Sequence, residues 1–341
     1  MKIYHLSHTD LDGYGAQYIT NFYFKDVKFL NSNYGREIDD KFAQILSEID
    51  ASNDDKNVIL ITDLNLTPAQ CESFEEMIDG KNIKLFLLDH HQSGAECASA
   101  YSWYFLDSSR CATKITYDFF AGIFGQNKEL EIFSDVVNAV DIWLKDDKNF
   151  EMGKVCLGLV ANAKEINKVM FEAENNLYMD HILKEASKFF NEKNDYIGLD
   201  MQVHAIKKSF FKEDKDDTLS NLISNYVVKK LSENKEKFSI SYKDHKGILT
   251  YNVGNVSVIG NDFLVANPEF DFFIDVTNKK TLSFRANGKL DVSAMAKHLV
   301  GGGGHVNASG GLFANFKDGF SYEPIKAQIV DLITKKTQEE I

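Results

Sequence analysis

Residues 8–15, HTDLDGYG, set His8, Asp10 and Asp12 at alternate positions and follow them with two glycines. Three such side chains within five residues are costly to bury unless something neutralises them. They come straight after the apolar-leaning run Ile3 to Leu6, which reads as a short strand. Two more strand-like apolar runs end on acids: NVILITD on Asp63, and IKLFLLDHH on Asp89, with His90 and His91 directly behind. Asp141 stands in the helical, apolar context NAVDIWL, where a lone carboxylate is expensive and a nearby cation would remove the cost.

Carboxylates and imidazoles in company suit Mn²⁺, Fe, Co or Zn better than Ca²⁺. In an extended segment side chains alternate, so positions 8, 10 and 12 would share one side and could feed two adjacent ions. Metals about 3.5–4 Å apart clamp and activate a water between them and stabilise phosphoryl transfer. Alone, HTDLDG reads better as an ordinary Asp/Gly turn, and the alternative for Asp141, an exposed or ion-paired helix residue, is disfavoured by its apolar neighbours. The set taken together favours a two-metal site.

The elements that must position these residues alternate along the first half. KIYHLS, DVKFLN, NVILITD and IKLFLLDHH read as strands. GAQYITNFYF, IDDKFAQILSEI, TPAQCESFEEMI, SSRCATKITYDFFAGIF and ELEIFSDVVNAVDIWL read as helices. Thr67 is a plausible N-cap with Pro68 at the first helical position. Near-continuous apolar strands separated by helices indicate a doubly wound, mainly parallel sheet, and ligands bind such sheets at the carboxyl ends of their strands. Residues 155–235 read as helical and charged, with FKEDKDD as a surface loop. Beyond Phe238 the strands FSISYK, KGILTYNV, VSVIGN, FDFFIDVT and KTLSFRA lead to the helix DVSAMAKHL, the segment GGGGHVNASGG, a strand-like LFANF and a last helix around PIKAQIVDLITKK. The expected organisation is an α/β catalytic domain over 1–190, a helical connector over 191–237 and a smaller α/β domain over 238–341, with the site in the cleft between the domains.

Composition sets bounds. The chain has 341 residues, 44 % hydrophobic and 12 % aromatic, enough to build large cores. Its formal net charge of −13 disfavours the basic groove that long nucleic acid needs, but leaves room for a small phosphorylated ligand held by a few local cations. Four cysteines, none in a CxxC pair, fit a reduced, intracellular protein. The start, MKIYHLSHTD, turns polar before a signal-peptide core forms, and no run reaches membrane-spanning length. A cytoplasmic protein without a membrane partner is expected. Its oligomeric state is left open, a homodimer included.

In order along the chain, HTDLDG, ITDL, LLDHH and NAVDIW resemble the four motifs of the DHH phosphoesterase superfamily. RANGKLDVSAMAKHLVGGGGHVNASGG resembles the Gly-rich motif of the DHH-associated C-terminal domain in the RecJ-like and nanoRNase branch. The middle helices carry none of these motifs. The resemblance implies that His8 and Asp10 bind one divalent metal, that Asp12, His90 and Asp141 bind the other, and that Asp63 bridges them. Mn²⁺ is the expected ion, with Co²⁺ or Fe²⁺ as alternates. The resemblance also makes Asp89 the orienter of a metal-ligand histidine and turns His91 to the substrate phosphate. Arg285 and His305 would hold a terminal phosphate or the scissile group, and Gly301, Gly302, Gly303 and Gly304 would admit it close to the backbone.

The expected activity is two-metal hydrolysis of short oligoribonucleotides and linear dinucleotides (pNpN), with 3′-phosphoadenosine 5′-phosphate as a further candidate. The competing readings are a cyclic dinucleotide phosphodiesterase, a RecJ-like single-strand exonuclease, a family II pyrophosphatase and a non-catalytic nucleotide-binding module. GGGGH lacks the Gly-Lys-Ser/Thr ending of a P-loop, which argues against a nucleoside triphosphate site. Arg110 is either a phosphate contact near a helix start or a surface arginine. Trp143 is read as a core residue rather than a base-stacking platform.

Overall fold

The structure, a computed structural model, describes residues 1–52, 56–190 and 195–338. The first four residues of the expected connector, 191–194, and the chain end, 339–341, lie outside the described residues. The chain divides into two compact units: Met1–Ala163 with Asn176–Phe210, and Lys164–Asn175 with Phe211–Ile341.

In the first unit β1 (Lys2–Ser7), α1 (Leu11–Tyr23), β2 (Val27–Asn31), α2 (Arg36–Asp50), β3 (Asn57–Thr62), α3 (Pro68–Ile78) and β4 (Ile83–Asp89) alternate. A short α4 (Ala95–Ala100), β5 (Tyr104–Leu106), α5 (Ala112–Phe124), α6 (Lys128–Asp141) and α7 (Phe150–Ala161) follow. The five strands form one sheet in the order β2-β1-β3-β4-β5, every neighbouring pair parallel. That order reverses direction between β1 and β3, so the crevice beyond their carboxyl ends is the topological switch point. On one face Tyr4, Leu6, Ile59, Ile61, Leu85 and Leu87 meet α2 and α3, where Phe42 and Phe74 stack with ring centres 3.7 Å apart. α1 and α5 cover the other face. Ile38, Phe42, Ile45, Leu46 and Ile49 are the buried stripe of α2, as their helical spacing predicts. The start of α3 is also the expected one: Thr67 and Gln70 close a reciprocal capping box, with Pro68 in the first turn.

α8 (Glu172–Ser187), α9 (Tyr196–Phe211), α10 (Leu219–Glu233) and a short α11 (Lys235–Phe238) lead on from there. The second unit then adds β6 (Ser239–Tyr242), β7 (His245–Tyr251), α12 (Val256–Ala266), β8 (Phe272–Val276), β9 (Thr281–Ala286), α13 (Val292–Val300), β10 (Gly303–His305), β11 (Ala308–Leu312) and α14 (Tyr322–Gln338). Its six-stranded sheet runs β10-β11-β9-β8-β7-β6, antiparallel except at β7–β8.

Two expectations are corrected here. VSVIGN is not a strand but the start of α12. Its β-branched residues favour a strand locally, yet Ile259, Phe263 and Leu264 continue an apolar face at helical spacing, and burying that face outweighs propensity. LFANF is not the strand either. Pairing to β9 falls earlier, on ASGGL, and Phe313 to Phe316 form a turn. The glycines of that strand permit the shift: a β-carbon on the facing Gly302 would lie 2.2 Å from the Gly310 carbonyl oxygen.

Candidate active site

The expectation that residues 8–12 are extended is overturned. His8 leaves the end of β1, Asp10 is the N-cap of α1, and Asp12 already lies in the first helical turn. The Asp10 carboxylate accepts from the Gly13 amide at 3.0 Å, which starts the helix there. Gly13 is required by close approach, since a β-carbon would stand 2.3 Å from the His8 carbonyl oxygen. Asp12 is fixed from the far side of the fold. Its two carboxylate oxygens accept the Ala112 and Thr113 amides at the start of α5, both at 2.7 Å. A carboxylate is well placed at a helix N-terminus, where unpaired amides and the dipole favour negative charge.

Asp63, just past β3, sits at φ +56°, in the left-handed region that aspartate tolerates better than most residues. Its buried Oδ2 has no hydrogen-bond partner among the described residues. His8 Nδ1 lies 2.8 Å from Asp10 Oδ2 and 3.6 Å from Asp63 Oδ2. His90 Nε2 lies 3.7 Å from Asp12, 3.4 Å from Asp63 Oδ1 and 3.6 Å from Asp141. Asp141 is not enclosed by the apolar residues of α6. It is the last residue of that helix, with its side chain 24 % exposed.

The structure therefore brings together His8, Asp10, Asp12, Asp63, His90 and Asp141. Three donor groups stand out among the described residues: His8, Asp10 and Asp63; Asp63, His90 and His91; and Asp12, Cys111 and Asp141. Within each group the donor atoms lie within 4.8 Å of one another. Asp63 belongs to two of them. Cys111, which the sequence reading passed over, is fully buried beside Asp12 and Asp141. A lone cysteine outside any CxxC pair gave no signal.

The electrostatics are those of crowded anions. Burial, then the charge of Asp12, pushes the Asp63 carboxyl well above the usual carboxylate range. Burial and the charges of Asp12 and Asp63 raise Asp141 to about 8. Burial raises Asp12 too, against the attraction of His90. His8 goes the other way for an imidazole: burial disfavours its charge, but the hydrogen bond to Asp10 and the charges of Asp10 and Asp63 win and raise it to about 10. Asp10 in turn is held near 2, because His8 and the Gly13 amide outweigh its burial. These groups fit divalent cations. A buried oxygen of Asp63 lacks a partner, and carboxylates destabilise one another where a divalent charge would stabilise all of them.

Asp89, at the end of β4, stays outside the donor groups. Its carboxylate accepts from the Tyr104 hydroxyl at 3.0 Å and meets His91 Nδ1 at 2.7 Å. The histidine it orients is His91, where the resemblance implied one of the metal-ligand histidines. That hydrogen bond, more than any opposing burial, raises the His91 pKa. The other ring nitrogen of His91 lies 3.0 Å from the Tyr34 hydroxyl, and the Tyr34 ring also packs on His8 with centres 4.6 Å apart. Tyr34 is a second residue the sequence reading missed. A single tyrosine in the loop between β2 and α2 carries no pattern. Arg110 is engaged by the carboxylates of Asp107 and Asp118. Trp143 is not core: it is 55 % exposed.

In the second unit, cross-strand register sets Arg285 opposite Ala308 and Ala308 opposite His305. Arg285 and His305 therefore share one face, two strands or about 10 Å apart, with only a methyl group between them. Arg285 donates to the Phe284 carbonyl and the Ser257 hydroxyl and makes no ion pair among the described residues. His305 is exposed. Gly301 caps α13 at φ +65°, and Gly303 and Gly304 form the short strand that ends on His305.

No protein-family model matches the chain. Relatives and solved structures do. A five-stranded parallel sheet carrying this ordered donor set at its strand ends is a DHH-type phosphoesterase fold, and the chain belongs to that family. A 3′,5′-cyclic-nucleotide phosphodiesterase of Helicobacter pylori (strain ATCC 700392 / 26695) is 40 % identical over 343 residues, covering 97 % of this chain and 99 % of the relative. The crystal structure of an uncharacterized protein from Helicobacter pylori G27 superposes with a TM-score of 0.87 at 40 % identity, over 98 % of this chain and 99 % of that one. A pGpG-specific phosphodiesterase from Vibrio cholerae aligns over 99 % of both chains, at 13 % identity and a TM-score of 0.32, too loosely to bear on function. Among the described residues no helix is long and apolar enough to cross a membrane.

Proposed function

We propose that the protein is a metal-dependent phosphodiesterase acting on 3′,5′-cyclic nucleotides. The observation that carries the reading is the near full-length likeness, at 40 % identity, to a phosphodiesterase of that name, in a chain whose strand ends gather the donor set. His8 and Asp10 would hold one divalent ion, Asp12, His90 and Asp141 a second, and Asp63 both. Cys111 lies within reach of the second. Bound there, two ions supply an activated water and charge stabilisation for phosphoryl transfer.

The chain's own residues do the rest. Asp12 is held rigid by two amides of α5, so its position does not depend on substrate. Asp89 and Tyr104 fix the ring of His91, and its second nitrogen, which meets the Tyr34 hydroxyl at 3.0 Å, would turn to a phosphate oxygen when substrate binds. The balanced reaction adds one water. Its oxygen bonds to phosphorus, the ester bond to a ribose oxygen breaks, and that oxygen receives the proton.

A second reading, hydrolysis of pNpN and short oligoribonucleotides as in the nanoRNase branch, draws on Arg285 and His305. A linear nucleotide carries a terminal phosphate for such a pair, and a cyclic mononucleotide does not. The test is a panel of cAMP, cGMP, pApA, cyclic dinucleotides and longer RNA with Mn²⁺, read by product chromatography. Turnover of cAMP or cGMP well above pApA supports the proposal. Turnover of pApA without cyclic mononucleotides replaces it with the second reading.

A further inference from the structure

The end of α6 is built in an unusual way. Trp143 donates its amide to the Val140 carbonyl at 3.3 Å and Leu144 to the Ala139 carbonyl at 2.8 Å, the paired bonds of a Schellman stop. The residue in the left-handed position of that motif is usually glycine. Here it is Trp143, at φ +60°. A bulky side chain at that angle is a genuine outlier, and backbone strain of this kind persists where the surroundings hold it in place and is concentrated at functional sites.

Packing does not account for it. The indole is 55 % exposed, and its one ring contact among the described residues is an edge against the buried Phe150, with centres 5.1 Å apart and planes at 89°. Its N–H has no partner among the described residues. Leu144 beside it is 40 % exposed. The position is what distinguishes it. Trp143 follows Asp141 by two residues, at most about 7 Å along the backbone, and the Asp141 carboxylate lies 3.6 Å from His90 in the donor cluster. An accessible aromatic side chain thus follows, two residues on, a carboxylate of the cluster where a phosphate would be held.

We propose that Trp143 is the stacking platform for the nucleobase of a nucleotide whose phosphate lies at the metal cluster. This rests on the reading of the cluster as a nucleotide phosphodiesterase centre. It does not depend on whether the substrate is cyclic or linear. Base–aromatic stacking is worth about 1–3 kcal/mol per base, roughly five- to 150-fold in affinity.

The test compares binding of 5′-AMP and ribose 5-phosphate to the Mn²⁺-loaded protein by calorimetry. The two share a phosphate and a ribose, and only one has a base. Wild type should bind 5′-AMP at least about tenfold more tightly. Trp143→Gly should bind both alike, with ribose 5-phosphate unchanged, and should melt at or above the wild-type temperature because glycine adopts the left-handed angle without strain. Trp143→Asn, which also tolerates that angle, serves as the second variant and should lose the same base preference. A wild type without base preference, or variants that keep it, overturns the proposal. Base preference lost in the variants of a protein that leaves cAMP intact would sustain the platform and reject only the cyclic-nucleotide reading.

Discussion

The two sheets carry their polar residues in opposite ways. At the carboxyl edge of the parallel sheet, Asp12, Asp63 and Asp89 are almost completely buried, and burial with the charge of Asp12 pushes the Asp63 carboxyl upward. On the mixed sheet, Arg285 and His305 stand on one face without an anionic partner in contact among the described residues. The first arrangement is costly before any ligand arrives; backbone amides of α5 hold Asp12, and Tyr104 and His91 hold Asp89. The second costs little: Arg285 is half-buried on two hydrogen bonds and His305 is exposed. Buried acids suit a cation of fixed geometry, and hydrogen-bond donors nearer the surface suit a phosphate that enters and leaves.

The largest effect should come from breaking the first arrangement at its centre. Asp63→Ala should abolish the Mn²⁺-dependent rise in melting temperature and lower turnover by about three orders of magnitude. In metal-free buffer the same variant should melt no lower than wild type, because a buried carboxyl under like-charge repulsion has been removed. A variant that keeps the metal-dependent rise would show that Asp63 is not shared between the ions.

Both units also bury a carboxyl whose pKa is raised, for different reasons. Asp63 is raised by burial together with Asp12. Asp275, on β8 of the second unit, is raised to about 7 by burial, against hydrogen bonds from Thr250 and Val253 that favour its charge. Between pH 3.8 and about 7 the folded protein keeps this proton and the unfolded chain loses it. Folded stability therefore falls as pH rises through that window, and the loss is complete above it. The shift corresponds to a few kcal/mol, of the order of 4. Asp275→Asn should remove most of that slope in urea unfolding followed from pH 4 to pH 8. An unchanged slope would place the titrating group elsewhere.

Much of the donor cluster was legible because strand ends in a parallel sheet converge on one edge, so acids that close apolar runs must meet there. Asp63 and His90 are such cases. What escaped depends on contacts between distant parts of the chain. Asp12 reaches α5 a hundred residues away, and that contact, not alternation in a strand, sets its direction. Tyr34 and Cys111 are single residues without periodicity, placed by the fold alone. VSVIGN was misread because six residues are too few to separate a strand from the first turns of a helix. The exposure of Trp143 was hidden by its apolar neighbours in sequence. Substrate class was the least legible, because a phosphodiester centre uses the same residue types whether the ester is cyclic or linear.

The second sheet offers the next test. Arg285→Ala should raise KM for pApA at least about tenfold, the scale of a hydrogen bond to a charged group, and change KM for cAMP by much less, since a cyclic mononucleotide has no terminal phosphate. Metal content should be unchanged. Equal losses on both substrates would mean that Arg285 serves the fold, through Ser257 and the Phe284 carbonyl, rather than the ligand.

The smallest effect should come from Tyr34→Phe, which removes one oxygen. The ring would remain against His8, and His91 would still be held by Asp89, so neither metal content nor melting temperature should move. Two roles for the hydroxyl then separate. If it shares a phosphate oxygen with His91 during turnover, its loss removes one hydrogen bond, and kcat should fall about two- to twelvefold, the range that corresponds to 0.5–1.5 kcal/mol. If it only occupies the His91 ring nitrogen until substrate displaces it, its loss removes a competitor, and KM should fall with kcat unchanged. The geometry favours the first. The Tyr34 ring is held on two sides, by His8 at 4.6 Å and edge-on by His91 at 5.5 Å, so the hydroxyl stays at the site when its hydrogen bond is exchanged. Steady-state kinetics on cAMP and on pApA, with elemental analysis of the same preparations, decides between them.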